Sequence, residues 1–117
     1  MNPFEKEFTP QPPTAIEVIK IFKETGESAE AIGAYSLWLK EKQKEANESK
    51  SPYSRLEMNI DIADLLIESN MLEDAYEYLD GCWEMLENEL SRFPEGNVPE
   101  ELASLHQKLK YITEKTG

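Results

Sequence analysis

The chain contains one histidine, His106, and one cysteine, Cys82, and these two side chains are the first candidates for chemistry. Catalysis or metal binding by such residues requires partner groups, and no second histidine or cysteine exists to supply one. A di-iron helical bundle needs two Glu-x-x-His motifs, which a single histidine cannot provide. We therefore expect His106 to be a surface or boundary residue and Cys82 to be a small apolar residue at a helix contact.

Carboxylates are the abundant reactive groups, because residues 56–91 contain eleven Asp and Glu side chains and no Lys or Arg. Catalysis would require such groups to converge in a pocket with separated pKa values. The chain has no EF-hand loop, no glycine-rich phosphate loop and no nucleophile elbow. We predict a protein that is not an enzyme, with no catalytic residues, no metal ligands and no cofactor. The acidic stretch has three interpretations: a solvated face, a docking surface for a basic partner, or a divalent-cation site.

The net charge of −12 over 117 residues limits the classes of partner. Such a chain is repelled by nucleic acid backbones and by anionic lipid surfaces, so we expect no direct nucleic-acid binding and no membrane binding. A protein partner with a basic surface is favoured instead. No apolar run approaches the roughly 20 residues of a membrane span, and residues 1–13 do not have the pattern of a signal peptide. Together with the single cysteine, these features predict a cytoplasmic protein.

Apolar residues recur at helical spacing along most of the chain, which predicts an all-α protein of about five helices. The expected helices cover residues 14–26, 28–47, 51–70 and 72–91, and a fifth begins near 99. Thr14 and Glu17 form a capping-box pattern at the first helix, and Ser54 offers a second, later start for the third. Residues 1–13 hold four of the seven prolines and are predicted to form an extended arm, followed by a single all-helical domain over residues 14–117.

The first four expected helices pair into two helical hairpins, and an internal repeat with an offset of 44 residues relates the second hairpin to the first. At this offset Gly26 aligns with Asn70, two residue types that tolerate a left-handed backbone, and Ala31 aligns with Ala75. The positions that carry the repeat are Phe22, Gly26, Ala31 and Tyr35 in the first hairpin, and Ala63, Leu66, Ala75 and Leu79 in the second. This spacing resembles the tetratricopeptide repeat, with a longer offset and with Asn70 in place of the family's glycine. The alternative is a generic helical bundle.

The resemblance implies two antiparallel helical hairpins covered by a C-terminal capping helix, with a concave groove lined by the first helix of each hairpin. The groove residues that it implies are Ile16, Lys20, Lys23, Glu57, Ile60, Asp64, Ile67 and Glu68. Ile60 and Ile67 are expected to be apolar anchors, and Asp64 and Glu68 to pair with basic residues of the partner. On the fourth helix, the candidate contact residues are Glu73, Glu77, Tyr78 and Asp80; Tyr78 lies off the apolar stripe and is expected to be exposed, whereas Tyr76 belongs to the stripe and is expected in the core.

These features predict an interaction module, either an adaptor or a scaffold, that binds a peptide, a helix or a basic surface of a partner protein. The alternative is an acidic inhibitor that mimics nucleic acid and blocks a nucleic-acid-binding protein. Affinity for the partner of such a mimic should fall steeply with salt. Either function is compatible with a homodimer. The second helix offers a surface for it, because the 44-residue offset makes this helix longer than in the tetratricopeptide repeat.

Overall fold

The computed structural model describes residues 11–117, and it contains five α-helices and no strand within them. The helices are α1 (Ala15–Thr25), α2 (Ala29–Glu48), α3 (Ser54–Glu68), α4 (Leu72–Leu90) and α5 (Glu100–Glu114). The predicted all-α class is confirmed. The predicted arm over residues 1–13 falls largely outside the described residues, and residues 11–14 form neither helix nor strand.

Local sequence signals account for the ends of the helices. The Thr14 hydroxyl accepts a hydrogen bond from the Glu17 amide at 3.2 Å, and the Glu17 carboxylate accepts one from the Thr14 amide at 3.1 Å. This is the predicted capping box at the start of α1. Gly26 and Asn70, the two aligned turn residues, have φ angles of 65° and 62°. Of the two predicted starts of the third helix, the structure has the later one, at Ser54.

The third helix is the centre of the fold, because α3 contacts each of the other four helices. Its buried side chains come from several faces of the helix: Leu56, Ile60, Ile62, Ala63, Leu65, Leu66 and Ile67. The aligned alanines Ala31 and Ala75 are both completely buried, so α2 and α4 each place a small side chain in the core. Helix α5 packs against both α3 and α4.

The helices α2 and α4 lie on the same central helix with their backbones apart, and the side chains of Tyr35 and Tyr78 meet between them. Both contact α3, but no pair of their Cα atoms lies within 8 Å. A groove therefore separates α2 from α4, and α3 contributes to its floor.

Candidate protein-binding site

Both predicted apolar anchors, Ile60 and Ile67, are part of the core. Ile60 is 0% exposed and Ile67 is 7% exposed, because helices pack around α3 on several sides. The expectation that these two residues anchor a partner is therefore wrong for the folded chain. A partner could reach them only if the core opened.

The carboxylate of Asp61 on α3 is held by lysines from two other helices. Lys108 of α5 donates to its Oδ1 at 2.5 Å, and Lys42 of α2 lies 3.5 Å from its Oδ2. The Asp61 side chain is only 22% exposed. This carboxylate joins α2, α3 and α5, so its role is structural.

Asp64 and Glu68, which we expected to pair with a basic partner, instead pair with Lys115 beyond the end of α5. Its Nζ atom lies 3.0 Å from Asp64 Oδ1 and 2.8 Å from Glu68 Oε1. The hydrogen bond from Lys115 lowers the pKa of Glu68, and the charge of Lys23 on α1 adds a smaller effect in the same direction. Lysines from elsewhere in the chain therefore already neutralise the carboxylates on this side of α3.

The predicted residues of α1, together with Glu57 on α3, are accessible. Ile16 is 78% exposed, Lys20 and Lys23 are exposed, and Glu57 is exposed at the start of α3. Lys20 pairs with Glu24 at 4.0 Å on its own helix. The charge of Lys23 acts on Glu68, whereas Lys20 pairs within α1.

Most carboxylates of α4 differ from Asp61, Asp64 and Glu68 of α3 because they have no basic partner within residues 11–117, although Glu89 pairs with Arg92 at 3.8 Å. A row of five occupies the outward face of the helix: Glu73, Glu77, Asp80, Glu84 and Glu87. All five are exposed, and none forms an ion pair within residues 11–117. Their spacing of three and four residues places them opposite the buried stripe of α4, which contains Ala75, Leu79, Cys82 and Leu86. Three of the row, Glu73, Glu77 and Asp80, were candidates from the sequence.

The deep end of the α2–α4 groove is an apolar cavity of about 320 Å³. Its lining combines side chains from α1, α2, α3 and α4 and the turn before α4: Phe22, Ile32, Tyr35, Leu66, Met71 and Tyr78. Three carboxylates, those of Glu27, Asp74 and Glu77, lie at its edge. Ile32 is 50% exposed, so part of its apolar surface is open to a partner. The cavity therefore offers apolar surface surrounded by negative charge.

A more open cavity of about 360 Å³ adjoins the groove along α4, between α3 and α4. This cavity is lined by Asn59, Glu77, Tyr78 and Gly81, so Glu77 and Tyr78 belong to both cavities. A Cβ atom placed on Gly81 would meet no neighbouring atom within 4 Å. The side of the groove is therefore lowest at Gly81, where the backbone of α4 is accessible.

The aromatic residues around the groove differ from the sequence expectation. Tyr78, expected to be exposed, is half-buried beside Tyr35, whereas Tyr76, expected in the core, is 46% exposed. Burial, together with the neighbouring Tyr78 and Asp74, raises the pKa of Tyr35 above its ordinary value. The Tyr35 phenol can thus act as a neutral hydrogen-bonding group next to apolar surface.

A larger cleft of about 450 Å³ lies between α1, α2 and α3. Trp38 and Ile19 provide apolar lining, but the charged groups around it are mixed: Glu41, Lys42, Glu45, Asp61 and Asp64. Lys42 interacts there with Asp61 and, at 3.8 Å, with Glu45. Lysines pair with Glu45, Asp61 and Asp64, so Glu41 is the one carboxylate of this lining that has no lysine partner within residues 11–117.

The contacts of the histidine and the burial of the cysteine indicate structural roles for both residues. His106 meets the edge of the Trp83 ring, with ring centroids 5.8 Å apart. Cys82 is completely buried, and burial raises the pKa of its thiol to about 12. The reactive thiolate is therefore scarce at neutral pH. Within residues 11–117, no group of three or more His, Cys, Asp and Glu side chains is arranged to hold a metal ion.

Sequence reasoning missed the groove, because its lining comes from residues far apart in the chain. Ile32 and Tyr35 lie at the spacing of a buried helical stripe, and Met71 and Gly81 belong to no sequence motif. One available signal was the glycine within α4, since a helix interior disfavours glycine unless something requires its missing side chain.

Comparison with protein-family models, with curated proteins and with solved structures gives no match to this chain. No helix among the described residues combines the length and the apolar character needed to cross a bilayer.

Proposed function

We propose that this protein is a non-catalytic interaction module, an adaptor or scaffold built from tetratricopeptide-like hairpins, that binds a basic segment of a partner protein. The observation that carries this proposal is the unpaired carboxylate row of α4 next to the apolar α2–α4 groove. Negative charge favours encounter with Lys- and Arg-rich segments, and the apolar lining supplies surface that binding can bury. The cytoplasmic location expected from the sequence is part of the same proposal.

The arrangement of charge supports a binding role for α4. Like charges three or four residues apart destabilise a helix by about 0.2–0.5 kcal/mol per pair, and the five-residue row contains four successive pairs. The row therefore costs about 1–2 kcal/mol at low ionic strength. Solubility alone does not require such a cost, because a surface of mixed charge is also soluble. The pair between Lys20 and Glu24 on α1 is an example of such mixed charge.

The alternative function, an acidic inhibitor that mimics nucleic acid, agrees less well with this distribution of carboxylates. With Asp61, Asp64 and Glu68 neutralised by lysines, one row of carboxylates remains, and residues 73–87 extend over only about 21 Å. The apolar lining around Ile32 and Tyr35 also has no counterpart in a phosphate backbone. These features favour a protein segment that offers both positive charge and apolar side chains.

A second copy of the chain is a poor occupant of the same surface. Each copy carries a net charge of −12, and a symmetric dimer through α4 would bring two carboxylate rows together. The repulsion would be screened only at high salt. Homodimerisation, if it occurs, should therefore use another face of the molecule.

The test compares two variants with the same net charge. The first removes three charges of the row, Glu77→Gln, Asp80→Asn and Glu84→Gln. The second removes three exposed carboxylates elsewhere, Glu30→Gln, Glu48→Gln and Glu95→Gln, none of which forms an ion pair within the described chain. Peptides selected from a random display library on the native protein are titrated into both variants, with binding followed by fluorescence anisotropy.

We expect the selection to enrich Lys and Arg, and the first variant to weaken binding about tenfold or more relative to the second. Such a loss corresponds to about 1.4 kcal/mol, or about 0.5 kcal/mol for each exposed charge. Equal affinity of the two variants would mean that the peptides respond to overall charge and not to α4. That result would refute the proposed function.

A further inference from the structure

We propose that the occupant of the α2–α4 groove, and of the cavity that adjoins it along α4, is an amphipathic α-helix of the partner, about three turns long, with an apolar stripe flanked by basic side chains. This inference rests on the proposed function, which requires only a basic segment. It adds a conformation, a position and an orientation of the apolar face.

The dimensions of the groove correspond to those of a helix. The two cavities share Glu77 and Tyr78 and together follow α4 from Met71 to Gly81. From Met71 to Gly81 the axial rise is about 15 Å, the length of about 10 residues of helix. A helix laid in a groove between two helices presents anchors at spacings of three, four and seven residues.

The depth of the groove varies along its length, which indicates where the largest anchor should lie. At the deep end, Phe22 and Leu66 are almost fully buried and form the base, while Ile32 is half exposed. A Leu, Met or Phe side chain of the partner placed there would cover the exposed part of Ile32. At the open end, Gly81 leaves the backbone of α4 uncovered, so the backbone of a partner helix can approach closely.

The charges at the edge determine the chemistry of the flanks. Asp74 and Glu77 border the deep cavity from α4, and Glu27 borders it from the turn between α1 and α2. Lys and Arg side chains can lay their aliphatic stems on apolar lining and direct their charged groups to such carboxylates. An apolar stripe with lysine or arginine on each side therefore satisfies both parts of the groove.

Two synthetic peptides of identical composition test this inference. One places Leu at helical positions i, i+3, i+4, i+7 and i+11 with Lys between them, and the other distributes the same residues evenly around the helix. We expect the native protein to bind the amphipathic peptide at least tenfold more tightly than its isomer. We also expect the binding to shift the amide resonance of Gly81 and leave that of Gly33 unchanged.

A matched pair of glycine variants tests the position. Gly81→Leu fills the adjoining cavity, whereas Gly33→Leu adds the same side chain on α2, also where a Cβ atom meets nothing within 4 Å. We expect Gly81→Leu to abolish the preference for the amphipathic peptide and Gly33→Leu to retain it. Circular dichroism and thermal unfolding of both variants verify that each is folded, and a smaller change, Gly81→Ala, replaces Gly81→Leu if that variant is not.

The outcomes separate this inference from the proposed function. If both peptides bind equally, or if a folded Gly81 variant retains the full preference, the groove is not the site and the inference fails. Charge recognition by α4 would still stand if the variant lacking Glu77, Asp80 and Glu84 charges bound both peptides more weakly than its matched control. If that variant and its matched control also bound the peptides equally, the proposed function would be refuted.

Discussion

Replacing Lys115 by methionine should lower the free energy of unfolding by about 1–2 kcal/mol at neutral pH and low salt. The Nζ atom of Lys115 lies 3.0 Å from Asp64 and 2.8 Å from Glu68. Each partly exposed ion pair contributes about 0.2–1 kcal/mol. Removing the lysine also leaves Asp64 and Glu68 as like charges four residues apart, which costs about a further 0.2–0.5 kcal/mol. The contact of Lys115 with the Tyr111 ring, at 5.1 Å from its centroid, is lost as well.

The dependence of this effect on pH follows from two pKa shifts of opposite sign. The pKa of Glu68 is lowered from 4.5, chiefly by the hydrogen bond from Lys115. The folded state therefore gains stability above pH 4.5 and loses it as the pH falls through the lowered value. The pKa of Lys115 is raised from 10.5, chiefly by Glu68. Its contribution is complete below pH 10.5 and disappears as the pH rises through the raised value.

Urea unfolding followed by circular dichroism at 222 nm measures the difference between native protein and variant across this range. The control is Lys110→Met, because Lys110 is exposed on α5, five residues before Lys115, and forms no ion pair within residues 11–117. The Lys115 variant should lose more stability than the control at neutral pH and converge with it at strongly acidic pH. An equal loss in both variants, or a difference that does not change with pH, would refute the assignment of Lys115 as the cation that holds α5 against α3.

Three further outcomes are expected from equilibrium unfolding. Gly33→Ala should stabilise the protein by about 0.5–1 kcal/mol, since a Cβ atom at this helical glycine meets nothing within 4 Å; no gain would contradict the open surroundings of Gly33. Ile67→Glu should cost about 3 kcal/mol or more, because it places a carboxylate in the core; a folded, stable variant would show that Ile67 is accessible after all. The combined Glu77→Gln, Asp80→Asn and Glu84→Gln change should stabilise the protein by about 1 kcal/mol at low salt; the gain should fade at high salt, and destabilisation would show that these carboxylates have unrecognised partners.

The helices and their ends could be predicted from sequence because the signals are local. The Thr14–Glu17 capping box lies within four residues, and the positive φ angles of Gly26 and Asn70 follow from what those side chains permit. The later start of α3 at Ser54 shows the limit of such signals, since two plausible starts lay close together. Periodicity and capping therefore determined the elements to within a few residues.

The surface could not be predicted in the same way, because it depends on which helices become neighbours. Asp61 is neutralised by Lys108, which lies 47 positions further along the chain. Within a helical wheel of α3 alone, Asp61 resembles any exposed carboxylate. The exchange of expected positions between Tyr76 and Tyr78 has the same origin, since it depends on whether α2 or α5 flanks that side of α4. Burial of Ile60 and Ile67 likewise required knowing that helices pack around α3.

The acidity of residues 56–91 therefore consists of two parts with different physical roles. On α3, Asp61, Asp64 and Glu68 hold α5 in place through lysines, and their charge stabilises the fold. On α4, the row receives no such compensation from the described chain and destabilises its own helix. A charge that stabilises the fold needs no partner to explain it, whereas a charge that destabilises it does, especially beside a half-exposed Ile32. Within the acidic stretch, α4 and the groove at its side are therefore the surface to which we propose that the partner binds.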